Sequence, residues 1–134
     1  ILGDARSFRP EVSAEIEKQM RTIAQATAAT YNVKAEVSYS REFIPLVNDA
    51  ALASEAIEAA RNVFEADAIT VAIEPITASE DFAQFLQHVP GCFMFIGNGL
   101  KSAPLHNPTY DFADESLLPG ASLHAAITRN RLPQ

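Results

Sequence analysis

His106 stands in the run Pro104-Leu105-His106-Asn107-Pro108, with a proline two residues away on either side. Each proline fixes its own φ and restricts the residue before it. A histidine in so stiff a loop is held at low entropic cost. That suits a metal ligand or an acid–base group, because both need fixed geometry. The competing reading is a surface histidine in a proline loop. A second group is Ala78-Ser79-Glu80-Asp81-Phe82. It sets two carboxylates at an expected helix start, where they complement the positive dipole end. It also follows a strand-like segment after a short connection, the place where open α/β sheets carry their sites. Ordinary capping by Ser79, with acids in the first turn, explains the same residues.

Other candidates are weaker. Cys92 lies in the apolar run Cys92-Phe93-Met94-Phe95-Ile96, which favours a buried core residue over a nucleophile. Gly97-Asn98-Gly99 reads as a turn without a phosphate-loop pattern. His88 and His124 fall within expected helices and lack a partner at metal-ligand spacing. His106 by itself cannot hold a catalytic metal, which takes three or more protein ligands.

The elements that must position these groups follow from periodicity. Residues 1–8 read as a short strand. From Glu11 to Tyr31, Val12, Ile16, Met20, Ile23, Thr27 and Tyr31 recur at steps of three and four, which predicts an amphipathic helix behind Pro10, with Asn32 as its stop. Val33, Ala35, Val37 and Tyr39 alternate with Lys34, Glu36 and Ser38, as a half-buried strand does. Pro45 interrupts any ladder, and Asn48-Asp49 is turn chemistry before an alanine-rich helix over 50–64 with a stripe of Leu52, Ala56, Ala59 and Val63. Residues 68–74 read as a strand, Glu80–His88 as a helix capped by Ser79, and 92–96 as a strand covered on both faces. A last helix is expected from about Asp114 to Arg131. The reading is α/β, with one part over 1–47 and a second over 48–134. Two strands make a marginal sheet for the second part, so either a partner chain or absent upstream sequence must complete it.

Composition narrows the classes. The chain has 134 residues, 48% of them apolar and 20% charged, so it can build a core. A net charge of −7 without a basic run argues against nucleic acid and anionic membrane as partners. No apolar run approaches the roughly 20 residues of a bilayer span. A single cysteine fits a reducing, cytoplasmic setting and no signal peptide is visible, while the opening Ile-Leu-Gly-Asp, with no initiator methionine, reads as the start of a fragment. A processed intact domain is the other reading of that start.

Two stretches, ASEDFAQFLQHVPGCFMFIGNG and PLHNPTYDFADESLLPGASLHAAI, together resemble the C-terminal end of a metal-dependent amidohydrolase family. That family includes hippurate hydrolases, N-acyl-amino-acid amidohydrolases, indole-acetyl-amino-acid hydrolases and relatives of carboxypeptidase G and aminoacylase. The resemblance is carried by Ser79, Glu80, Asp81, Phe82, Pro90, Gly91, Gly97, Leu105, His106, Pro108 and Phe112. Upstream, Gly3, Arg6 and Phe8 are similar to the start of the family's inserted lid, and Pro45, Asn48 and Asp49 to the return into its catalytic domain. Cys92 departs from the small or aromatic residue expected there.

The resemblance implies a small α/β lid with an antiparallel sheet (1–47), often used for homodimerisation. A mixed-sheet α/β catalytic domain would follow (48–134) and bind two divalent ions such as Zn, Mn, Co or Ni. It implies His106 as a metal ligand, and Ser79, Glu80 and Asp81 as residues beside the ligands or on the substrate side. The general-base glutamate and the other ligands would lie in an N-terminal part outside this chain, leaving this piece alone inactive. Substrates would be N-acyl amino acids or related small amides. The acidic surface gives no general attraction for a carboxylate substrate, so local groups would have to supply it. Two alternatives stand beside this: a stand-alone α/β binding or regulatory module, and a hydrolase using His106 with Asp111 as a dyad. No nucleophile motif supports the latter.

Overall fold

A computed structural model describes residues 1–132. Its regular elements are α1 (Pro10–Thr30), α2 (Ala50–Arg61), α3 (Phe82–Phe85) and α4 (Leu117–Arg131), with 3₁₀ turns at Ala66–Ala68 and Asp114–Ser116. The chain divides into two compact units: Ile1–Val47 with Glu74–Val89, and Asn48–Ile73 with Pro90–Gln134.

In the first unit, Pro10 opens α1, where its absent N–H leaves no bond unmade. The helix closes with Asn32 at φ 54 in the left-handed region. Asn32 N–H then donates to Ala29 O (3.1 Å) and Val33 N–H to Ala28 O (3.0 Å). These two reversed bonds are a Schellman stop, in which asparagine is tolerated where glycine is usual. The inward face differs from the expected stripe. Of that stripe Val12 and Ile16 are half-buried, but Met20, Ile23, Thr27 and Tyr31 are exposed, whereas Arg21 and Ala24 are half-buried and Ala28 is buried. A charged clamp lies beside this face. Glu17 pairs with Arg21 (2.8 Å) and Arg41 (2.6 Å), and Arg21 donates to Val37 O (2.7 Å). The hydrogen bonds from Arg21, followed by the Arg41 charge, hold the Glu17 carboxyl below the usual glutamate range. The clamp ties residues 37–41 to α1. Along that segment Ala35, Val37 and Tyr39 are half-buried and Glu36 and Ser38 exposed.

In the second unit, Asp49 caps α2 by accepting from Leu52 N–H (2.9 Å). The expected stripe is the one that packs: Ala56 and Ala59 are buried, Leu52 and Val63 half-buried. Alanines let α4 approach, and Leu123 of α4 fills the contact against Ala59 and Ala60, ringed by Phe64, Ile69, Met94, Ala126 and Ile127. Arg131 closes the far end on Glu55 (2.6 Å). Pro119 falls in the first turn of α4, where its missing donor is harmless. Gly120 sits deeper, and a Cβ there would meet Ile96 Cγ1 at 3.9 Å, an ordinary contact. Gly120→Ala is therefore expected to stabilise the protein by about 0.5–1 kcal/mol through lower unfolded-state entropy, read as a higher urea midpoint.

The expected α/β class is corrected by the structure. No strand forms among the described residues, so neither the antiparallel nor the mixed sheet is present. A period of two states which side of a segment can be buried, but a ladder needs a second backbone alongside it. Val33, Val71, Ile73 and Phe95 are all exposed. The nearest thing to pairing is local. Asp49 N–H donates to Gly91 O (2.9 Å), and the Asn48 amide both accepts from Phe93 N–H (2.8 Å) and donates to Phe93 O (2.9 Å). A side-chain amide thus takes the place of a neighbouring strand. The 92–96 run is covered only in part: Cys92, Phe93 and Met94 are half-buried, Met94 against the Ala59–Ala60–Leu123 cluster, while Phe95 and Ile96 are exposed. Cys92 is half-buried, and burial pushes its thiol pKa up, which keeps it an unreactive thiol. Ser79 caps nothing: α3 is a four-residue turn, and it is Glu80 Oε1 that accepts from Phe82 N–H (3.3 Å).

Candidate functional site

The loop from Gly97 to Ser116 carries His106. Asn107 N–H donates to Pro104 O (3.1 Å), closing a four-residue turn with Leu105 and His106 at its centre. His106 has φ 66, and Leu105 does not share that sign. This is the pattern of a type II turn, whose third position favours glycine or asparagine. A β-carbon in that region costs on the order of 1 kcal/mol. A second turn follows at once, with Tyr110 N–H donating to Asn107 O (2.9 Å) and Thr109 N–H to Asn107 Oδ1 (2.9 Å). Asn107 thereby makes an Asx turn behind the histidine. The imidazole is exposed, and among the described residues it makes no hydrogen bond, so both nitrogens are open to a ligand.

The neck of the loop is tied by Asn98. Its Nδ2 donates to Ser102 Oγ (2.5 Å) and to Asp111 O (2.8 Å), while its Oδ1 accepts from Ala113 N–H (2.7 Å). Ser116 Oγ donates to Gly97 O (2.8 Å) beside it. Gly99, at φ 86, makes the bend that lets the chain leave this neck. An open cleft of about 410 Å³ lies inside the loop, where Lys101 joins Asp111, Asp114 and Glu115 in the lining. In the sequence Gly97-Asn98-Gly99 reads as a bare turn, with nothing to single out Asn98. Its partners lie 13 and 15 residues further on, and no local spacing announces them.

Ser79, Glu80 and Asp81 belong to the first unit and His106 to the second. Glu80 and Asp81 are exposed, and Ser79 is half-buried. Among the described residues, no three of His, Cys, Asp and Glu gather as a metal would need. The donor set therefore fits an ion in one way only: His106 can be one ligand of a sphere of about four whose other members come from elsewhere. No described helix is long and apolar enough to cross a membrane.

The turn thus presents one imidazole that makes no hydrogen bond among the described residues. The model for Peptidase family M20/M25/M40 matches residues 5–130, and the chain belongs to that family. It is 32% identical over 122 residues to a probable hydrolase of Synechocystis sp., covering 88% of this chain and 31% of that protein. It is 30% identical to the N-acetyl-L-cysteine deacetylase of Bacillus subtilis, covering 98% of this chain and 30% of the other. Thermostable carboxypeptidase 2 of Saccharolobus solfataricus is 28% identical, with 93% and 32% covered. The chain thus spans about a third of the length of these relatives. No solved structure matches it. The family resemblance read from the ASEDF and PLHNP stretches is borne out, and these three relatives are by name a probable hydrolase, a deacetylase and a carboxypeptidase.

Proposed function

We propose that this chain is the C-terminal part of a divalent-metal-dependent amidohydrolase that cleaves the amide bond of N-acyl amino acids or related small amides, and that His106 is one of its metal ligands. The observation that carries the reading is His106 itself: a β-branch-free but still strained residue kept at φ 66 where glycine would sit without cost, its ring unpaired. The relatives' names, an amidohydrolase and two deacetylases among them, support the reaction class.

When bound, the ions would lower the pKa of a water and polarise the amide carbonyl. The chain's own contribution is positional. The 104–107 turn holds the imidazole outward, and its exposed nitrogens supply one electron pair. The general base and the remaining ligands would come from an N-terminal part of the same protein. Residues 1–47 would belong to a lid through which a homodimer forms, and 48–134 to the catalytic part. Ser79, Glu80 and Asp81 would act on the substrate side. The lone free thiol of Cys92 is compatible with a reducing, cytoplasmic location. Hydrolysis of N-acetyl amino acids by the full-length protein is expected to vanish with a chelator and return with Zn²⁺, Mn²⁺, Co²⁺ or Ni²⁺. Turnover indifferent to chelation would overturn the reading and favour a binding module or a metal-free dyad.

A further inference from the structure

The deepest feature of the His106 loop is its neck rather than its tip. Pro104, Asn107 and Pro108 settle the backbone of the tip by turns that close within the segment itself, so they fix its shape but not where it points. Direction is decided where the loop leaves and rejoins the body. Asn98 touches both limbs there, Ser102 on the outgoing limb and the Asp111 carbonyl and Ala113 amide on the returning one, with the bond from Ser116 Oγ to Gly97 O as a second tie. The two backbone contacts reproduce a strand bridge across residue 112. They require an acceptor and donors on one short planar group. Asparagine has that combination; aspartate lacks the donors and glutamine is one carbon longer.

We propose that Asn98 is a positioning residue for metal binding by this loop: by cross-linking the neck it aims the His106 imidazole at the ion. The inference rests on the reading of His106 as a ligand. Groups that orient a ligand from behind are worth about 10–100-fold in metal affinity.

The test measures Zn²⁺ affinity of the full-length protein by chelator competition, and the visible spectrum of the Co²⁺ form, for Asn98→Ala, Asn98→Asp and His106→Gly. Asn98→Ala is expected to weaken Zn²⁺ by about 10–100-fold and to alter the Co²⁺ bands. Asn98→Asp keeps the shape and the bond from Ala113 N–H but loses both donors, and is expected to fall between wild type and Asn98→Ala. In the His106→Gly background, Asn98→Ala is expected to change affinity no further, because its effect passes through the imidazole. A general loss of stability would instead lower affinity in either background, and that additivity would overturn the proposal. So would wild-type affinity in both Asn98 variants while His106→Gly is weakened; the ligand reading would then survive alone. If His106→Gly binds Zn²⁺ as wild type does, the ligand reading itself fails and the proposal with it.

Discussion

Replacing His106 by glycine is expected to weaken Zn²⁺ binding by the full-length protein well beyond the roughly 100-fold that loss of a supporting group costs, and to leave folding stability within about 1 kcal/mol of wild type. The two halves of that expectation have different causes. Affinity falls because a ligand nitrogen is removed, and the described residues hold no neighbouring cluster that could replace it. Stability barely moves because two terms oppose one another. Glycine relieves the strain of a side chain at φ 66, and it adds conformational freedom to the unfolded chain. His106→Ala removes the same nitrogen while keeping a β-carbon in the left-handed turn, so it is expected to be no more stable than His106→Gly. Isothermal titration with Zn²⁺ and urea unfolding separate the halves. Undiminished affinity in His106→Gly would remove the basis for assigning this imidazole to an ion.

The largest effect on stability is expected at Leu123. Of the buried apolar residues among those described, Ala28, Ala56, Ala59, Ala60, Ala83 and Leu123, it alone is larger than alanine. Its neighbours Ala59 and Ala60 are backed by their own helix and have no side-chain length with which to close a gap. Leu123→Ala therefore leaves a cavity that relaxes little, and a loss of about 2–5 kcal/mol follows. Leu118, on the same helix and 75% exposed, serves as the control: Leu118→Ala is expected to stay within about 0.5 kcal/mol. Both are read from the urea midpoint followed by the helical circular dichroism signal. A loss for Leu123→Ala no greater than the control's would mean that α2 and α4 are not held by this contact.

Local signals in the sequence account for α1, α2 and α4, because helices close their hydrogen bonds within a few residues. Pro10 at the start, Asn32 at the stop, Asp49 before α2 and the Leu52-Ala56-Ala59-Val63 stripe all act over that range. The alternation at 33–39 is legible too, as half-burial on one side. The family was readable from the residues around His106. Tertiary structure alone decided the rest. Whether an alternating segment becomes a strand depends on a second backbone beside it, and here Asn48 supplies only a side-chain substitute for one. The pairing of Glu17 with Arg41 across 24 residues, which ties residues 37–41 to α1, was likewise not readable from the apolar stripe. Asn98 became the brace of the candidate site only when the chain returned at Asp111 and Ala113. These contacts join residues far apart in the chain, and spacing along a sequence carries no record of where the chain comes back.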